Sequence, residues 1–170
     1  MTIANYVTLS RIAFIPLIII LLSWRLNGLA VILFLVLSFS DVVDGYIARR
    51  FNQVSDLGKF LDPLADKVLV ITVLIALVGQ GKADPIAVML IVVRELLVQG
   101  IRINAARNQK IIAAAPVAKW KTAVQIAAVS MLILRLPYSD WVLWLAVVLS
   151  IISGGAYLWQ SRILRLLRSS

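Results

Sequence analysis

Six long apolar runs, separated by short polar or glycine-containing segments, make up most of this chain. Hydrophobic residues account for 62% of its 170 residues, which is well above the share found in soluble domains. A transmembrane helix takes about 20 apolar residues, so this length provides for about six spans and leaves no room for a separate soluble domain. We therefore predict an all-α integral membrane protein with six transmembrane helices, forming a single domain over residues 1–170.

Turn residues and changes of polarity set the predicted limits of the spans. Asp62 is of a residue type that favours the N-cap of a helix, and Pro63 suits the first helical position. Residues 79–84 form a predicted turn, and residues 50–58 and 107–121 form predicted polar connections. The six predicted spans cover residues 5–22, 29–49, 62–78, 85–106, 122–136 and 141–159.

Lysine and arginine are distributed unevenly between the two sides of the predicted bundle. Of the 17 basic residues, twelve fall on one side, and Arg11 and Arg94 lie within spans; the other side holds Arg25, Lys82 and Arg135. Because connections rich in lysine and arginine stay in the cytoplasm, we predict that both termini and residues 50–58 are cytoplasmic. The net charge of +9 also suits contact with anionic membrane lipids, and the lack of a soluble basic module argues against a nucleic-acid partner.

Four of the eight acidic residues, Asp41, Asp44, Asp62 and Asp66, form one short pattern at the ends of two adjacent predicted spans. Each pair has helical spacing, so its two carboxylates share a helix face. An ionised carboxylate in hydrocarbon costs at least roughly 2.5–3.5 kcal/mol, so the cluster needs a compensating cation. The chain has no histidine and no cysteine, and a set of oxygen ligands favours a hard divalent metal ion.

Two other interpretations of the aspartates stay open at this point. One is a structural ion-pair network with Arg49, Lys59 and Lys67. The other is a cation transporter, which would place carboxylates near the bilayer midplane between related halves of the chain. No internal repeat is visible, and the four aspartates lie at span ends, so the sequence favours a metal-dependent enzyme over both alternatives.

The residues around the aspartates complete a longer pattern. It reads Asp41-x2-Asp44-Gly45-x2-Ala48-Arg49-x8-Gly58-x3-Asp62-x3-Asp66. This pattern resembles the signature of the CDP-alcohol phosphatidyltransferase family, and all eight fixed positions of that signature are present. Residues 5–11, 60–67, 94–95 and 119–122 also resemble the branch of that family that uses glycerol phosphate.

The resemblance implies a role for each position of the pattern. Asp41, Asp44 and Asp62 would bind Mg2+ or Mn2+, as two ions, and through them the CDP pyrophosphate. Asp66 would be the general base and would lie close enough to contact a metal ion as well. The nucleotide would be lined by Gly45, Ala48, Arg49 and Gly58, together with Asn5 and Thr8.

The resemblance also implies a reaction and a setting. It predicts a homodimer in the bacterial cytoplasmic membrane, with a catalytic site on the cytoplasmic side that transfers a phosphatidyl group from CDP-diacylglycerol to glycerol 3-phosphate. Serine, inositol phosphate and phosphatidylglycerol stay open as alternative acceptors. A phosphorylated acceptor favours charge-assisted contacts, and the candidates for these are Arg94, Arg102, Lys119 and Lys121. An ion pair with Glu95 or with an aspartate of the cluster is the alternative interpretation of Arg94.

Overall fold

A computed structural model of the chain describes residues 3–50, 56–107 and 117–166, and within them the side chains of residues 10, 12–40, 67–101, 120–157 and 159. This part of the chain consists of six α-helices and the turns between them, which confirms the all-α prediction there. The helices are α1 (Ile3–Ser23), α2 (Asn27–Arg50), α3 (Asp56–Gly79), α4 (Pro85–Arg107), α5 (Val117–Leu134) and α6 (Ser139–Leu166).

The prediction that the third span begins at Asp62 is wrong, because α3 already begins at Asp56. Asp56 is of the same helix-starting residue type, and the residues between it and Pro63 include several good helix formers. Pro63 therefore lies inside the helix, where it removes one backbone hydrogen bond. The predicted polar connection 107–121 is also too long, since α5 begins at Val117 and contains Lys119 and Lys121.

The start of α4 follows the prediction from the 79–84 turn. The Asp84 Oδ1 atom accepts hydrogen bonds from the backbone N–H groups of Ile86 at 2.8 Å and Ala87 at 3.4 Å. Pro85, which has no N–H to satisfy, occupies the first helical position. The aspartate and the proline together fix the residue at which this helix begins.

Helices α1, α3 and α5 end in the same hydrogen-bonded turn. In each turn a residue just past the helix end adopts a positive φ, namely Arg25 at 59°, Gly81 at 64° and Arg135 at 55°. Its N–H bonds the carbonyl three residues earlier, and the next N–H bonds the carbonyl five residues earlier, which is the Schellman motif. The bonds run from Arg25 to Leu22 and Leu26 to Leu21, from Gly81 to Val78 and Lys82 to Leu77, and from Arg135 to Leu132 and Leu136 to Met131.

The chain divides into two compact units. Unit 1 contains Met1–Ala83 and Val129–Pro137, and α1 packs there against both α2 and α3, around a core that includes Ile18, Phe34 and Leu74. Unit 2 contains Asp84–Ala128 and Tyr138–Ser170, and α4 packs there against α6 around Ile91 and Leu143.

Bulky apolar side chains also point outward from the helices. On α2 they recur at three- and four-residue intervals, at Leu29, Ile32, Val36 and Phe39, each between 55% and 59% exposed. Within the described residues, Ser139–Tyr157 is the one segment long and apolar enough to cross a bilayer. Shorter apolar helices cover Ile12–Ser23, Asn27–Ser40, Lys67–Gly79 and Trp120–Leu134.

Candidate functional site

The four signature aspartates lie on two helices that pack against each other in unit 1. Asp41 and Asp44 are one turn apart near the end of α2, and Asp62 and Asp66 are one turn apart in α3. The helical spacing predicted for each pair is therefore present in the backbone. The four side chains lie outside the described ones, so the convergence of the carboxylates stays a prediction.

The predicted nucleotide-binding positions occupy the same group of helices. Asn5 and Thr8 lie in α1, Gly45, Ala48 and Arg49 lie in α2, and Gly58 lies in α3. Because α1 packs against both α2 and α3, the fold carries every predicted metal and nucleotide position on three mutually packed helices. The side chains at these six positions are not among the described ones.

The chemistry of the predicted ligand set fits a hard divalent ion. The ligands offered by the aspartates are all oxygen atoms, which is what Mg2+ and Mn2+ prefer. Among the side chains that the structure describes, no group of three or more histidine, cysteine, aspartate or glutamate residues could hold a metal ion.

Two of the four predicted acceptor-phosphate residues, Arg94 and Lys121, have described side chains, and both contact Glu95. The Arg94 Nη1 atom donates to Glu95 Oε1 at 2.9 Å, and the Lys121 Nζ atom donates to the same oxygen. The side chains of Arg94, Lys121 and Glu95 are 13%, 9% and 6% exposed, so this ion-pair cluster is largely buried between α4 and α5.

The structure thus confirms the ion pair between Arg94 and Glu95 that the sequence left as an alternative. The binding of phosphate by Arg94 and Lys121 stays a prediction alongside it. The other two predicted acceptor residues, Arg102 in α4 and Lys119 in α5, have side chains outside the described ones.

Ser153 in α6 is a partner of this cluster that the sequence analysis missed. Its Oγ atom accepts a hydrogen bond from Arg94 Nη2 at 2.5 Å and donates its own proton to the carbonyl of Ser150 at 3.1 Å. Both serines are almost completely buried. Two serines three residues apart inside an apolar span were the available signal, because polar side chains at that spacing share one helix face.

A separate group of cations lies in the turns after α1, α3 and α5. The Lys82 Nζ atom donates to Asn27 Oδ1 at 2.9 Å. Burial, and after it the positive charges of Arg135 and Arg25, lower the pKa of Lys82 below its ordinary value of 10.5. Of the three basic residues that the sequence assigns to one side of the bundle, Arg25 and Arg135 are therefore both within electrostatic range of Lys82, at one end of unit 1.

Comparisons with known proteins agree with the aspartate pattern. The model of the CDP-alcohol phosphatidyltransferase family matches residues 1–152. A protein of Rickettsia bellii named CDP-diacylglycerol–glycerol-3-phosphate 3-phosphatidyltransferase is 41% identical over 167 residues, which cover 90% of this chain and 91% of the relative. A protein of the same name from Bacillus subtilis is 40% identical, over 90% of this chain and 91% of its own length. This chain belongs to the CDP-alcohol phosphatidyltransferase family, a family of membrane-associated enzymes.

Proposed function

We propose that this protein transfers the phosphatidyl group of CDP-diacylglycerol to a hydroxyl of sn-glycerol 3-phosphate, giving phosphatidylglycerophosphate and CMP. The observation that carries the proposal is the identity of about 40% over nine-tenths of the chain to relatives that carry the name of this activity. The complete aspartate signature on α2 and α3 supports the same reaction class.

The proposed reaction has a simple balance of bonds. The acceptor hydroxyl oxygen bonds to the phosphorus that carries the diacylglycerol, and the bond from that phosphorus to the oxygen of CMP breaks. Asp66 takes the proton that the hydroxyl loses, a role that contributes typically about 10²–10⁴-fold to a rate. CMP leaves with the bridging oxygen and the negative charge.

Asp41, Asp44 and Asp62, with Asp66 beside them, would hold the divalent ions. When bound, Mg2+ or Mn2+ neutralises the diphosphate and stabilises the charge on the leaving CMP. The nucleotide would rest along Gly45 and Gly58, where the lack of a side chain lets the ligand approach the backbone. Arg49 would supply a charge-assisted contact to a phosphate.

The acceptor carries a phosphate of its own, and we assign its binding to the cations of unit 2. Arg94 and Lys121 already lie close together because both bond the same Glu95 oxygen. Arg102 lies two helical turns after Arg94 in α4, and Lys119 lies two residues before Lys121 in α5. These four residues would give a phosphorylated acceptor contacts that a neutral alcohol does not need.

We further propose that all six helices span the bacterial cytoplasmic membrane. Both termini and the catalytic site would lie on the cytoplasmic side. The enzyme would work as a homodimer in contact with anionic lipids. The outward apolar stripe of α2 supports a lipid-facing surface, since soluble proteins rarely expose such stripes. The grouping of Arg25, Lys82 and Arg135 at one end of unit 1 supports the alternation of helix directions there.

The topology has a direct test because the chain contains no cysteine. Cysteines introduced as Ser55→Cys and Lys82→Cys should react with an impermeant reagent from opposite sides of sealed membrane vesicles. Reaction of both cysteines from the same side would contradict the six-span arrangement while leaving the reaction class intact.

The reaction itself is tested by incubating purified protein with CDP-diacylglycerol and a panel of alcohols and measuring the release of CMP. We expect release with glycerol 3-phosphate and not with serine, inositol phosphate or phosphatidylglycerol. Release with one of the other acceptors alone would overturn the acceptor assignment. No release with any alcohol would overturn the proposed activity.

A further inference from the structure

Unit 2 has a polar interior, which is unusual for a helical bundle with an apolar outer surface. Seven polar or charged residues of the described chain are buried, and six of them belong to this unit. They lie on α4, α5 and α6: Glu95, Gln99, Lys121, Gln125, Ser150 and Ser153. Polar side chains inside spanning helices are costly, so a cluster of them marks a functional position more often than a packing one.

Arg94 is tied into this interior by two hydrogen bonds from different edges of its guanidinium. Glu95 accepts from Nη1 at 2.9 Å, and Ser153 on another helix accepts from Nη2 at 2.5 Å. Because the Ser153 proton is directed to the Ser150 carbonyl, a lone pair of Ser153 is left to face Arg94. The two acceptors together fix both the position and the rotation of the guanidinium plane.

A third contact lies along the aliphatic part of the same side chain. A Cβ atom at Gly154 would come within 2.9 Å of Arg94 Nε and 3.4 Å of Arg94 Cγ. The arginine therefore packs directly on the α6 backbone at Gly154, and even a methyl group there would displace it. At the neighbouring Gly155 an added Cβ would meet nothing within 4 Å.

Arg94 still has hydrogen-bonding capacity to offer a ligand. A guanidinium carries five N–H donors, and the described contacts use two of them. Its Nε atom is buried with no protein partner, and 13% of the side chain stays exposed. An anionic ligand would contact the exposed part of the side chain and not Nε, which lies against the α6 backbone at Gly154.

We propose that Glu95, Ser153 and Gly154 are positioning residues that hold Arg94 in the orientation required to bind the phosphate of the acceptor. This inference rests on the proposed function, because it takes Arg94 to be the residue that contacts the phosphate. None of the three touches substrate; they act by fixing one rotamer of Arg94 in advance. Preorganisation of this kind lowers the entropic cost of binding, and a displacement of about 1 Å can cost up to 10²-fold.

The test compares Gly154→Ala with Gly155→Ala, two adjacent substitutions in one helix that change helix propensity equally. We expect Gly154→Ala to raise the KM for glycerol 3-phosphate roughly tenfold or more and to leave the KM for CDP-diacylglycerol within about twofold. Gly155→Ala should change neither. Equal effects of the two substitutions, or no effect of either, would overturn the inference.

If Gly154→Ala does not fold, Ser153→Ala tests the same positioning inference. It removes one acceptor of Arg94 without adding bulk, and it should show the same selective rise in KM for glycerol 3-phosphate. An unchanged KM would remove Ser153 from the positioning group. Restoration of the lower KM by Ser153→Thr, which keeps the hydroxyl, would mark the oxygen as the important feature.

Arg94→Gln separates this inference from the proposed function beneath it. If Arg94→Gln leaves the KM for glycerol 3-phosphate unchanged, the assignment of Arg94 to the acceptor fails. If Arg94→Gln raises that KM and Gly154→Ala does not, only the positioning inference fails. In the double variant, Gly154→Ala should add nothing to the effect of Arg94→Gln, since residues that act through one another are not additive.

Discussion

Lys121 in α5 and Glu95 in α4, which lie 26 residues apart in the sequence, form a buried ion pair. The Glu95 oxygen that accepts from Lys121 also accepts from Arg94, so one carboxylate oxygen holds two cations. Such an arrangement makes the three side chains interdependent. We therefore expect Glu95 and Lys121 to contribute different amounts to the free energy of unfolding.

Removing Glu95 should cost more than removing Lys121. Glu95→Ala leaves two largely buried cations without their shared carboxylate, and loss of one partner of a buried pair costs about 3–5 kcal/mol. Lys121→Met leaves Glu95 paired with Arg94, so the free energy of unfolding should fall by less. Unfolding in detergent measures both, and an equal or smaller loss for Glu95→Ala would contradict the shared-oxygen arrangement.

The metal prediction concerns Asp41, Asp44 and Asp62. Turnover should disappear in the presence of a chelator and return with Mg2+ or Mn2+, because oxygen ligands select hard cations. Asp41→Asn, Asp44→Asn and Asp62→Asn should each abolish turnover or raise the metal concentration needed for it. Asp140→Asn, at an exposed acid in the first turn of α6, is the matched control and should behave like the parent protein. Full activity in metal-free buffer would refute the metal assignment.

The base prediction concerns Asp66. Asp66→Asn should leave the binding of CDP-diacylglycerol largely intact and slow the chemical step by about 10²-fold or more, because the acceptor hydroxyl then loses its proton without help. Single-turnover CMP release with pre-bound CDP-diacylglycerol separates binding from chemistry. A variant with nearly normal turnover would assign the base to another residue.

The pH prediction concerns Lys82, whose pKa is lowered by burial and then by Arg135 and Arg25. Between the folded pKa and the ordinary value of 10.5, the unfolded chain binds more protons at this residue than the folded protein does. The contribution of Lys82 to the free energy of unfolding therefore rises as the pH rises through that range. Melting temperatures measured across the range should show a steeper rise in the parent protein than in Lys82→Met. Identical slopes would mean that the pKa of Lys82 is not lowered.

The turn prediction concerns Arg135, which adopts a φ of 55° at the end of α5. A residue with a Cβ atom is strained there, whereas glycine is not, and glycine gives back part of that gain through its greater freedom in the unfolded chain. We expect Arg135→Gly to be more stable than Arg135→Ala by roughly 0.5–1 kcal/mol. Both variants remove the same charge, so the difference isolates the backbone. Equal stabilities would show that the turn tolerates a side chain without strain.

The residue at which a helix begins was predicted most accurately where a turn residue has one specific structural role. Asp84 and Pro85 gave the start of α4 correctly because an N-cap acceptor followed by proline has few other structural meanings. The same two-residue signal at Asp62 and Pro63 was misleading, because α3 had already begun at Asp56. A local signal states where a helix can begin and does not exclude an earlier start.

Some features of the candidate site could likewise be predicted from the sequence, and others could not. The aspartate pattern could be found from the sequence because four carboxylates in an apolar chain need an explanation whatever the fold. The partnership of Arg94 with Ser153 could not be found, since 59 residues separate them and only the packing of α4 on α6 brings them together. The approach of the Arg94 side chain to the backbone at Gly154 depends on the same packing, so it could not be found from the sequence either.

The repeated turn after α1, α3 and α5 bears on how such a protein enters a membrane. The connections that follow these helices are short, covering residues 24–26, 80–84 and 135–138. In the proposed topology they are the segments that must be carried through the hydrocarbon to the far side. In each turn the last helical carbonyls accept hydrogen bonds from within the turn itself. Few backbone groups of the turn therefore have to lose bound water when the turn crosses the hydrocarbon. Insertion of consecutive helices in pairs, as hairpins, then moves only one cation with each turn and, in residues 80–84, the carboxylate of Asp84 as well.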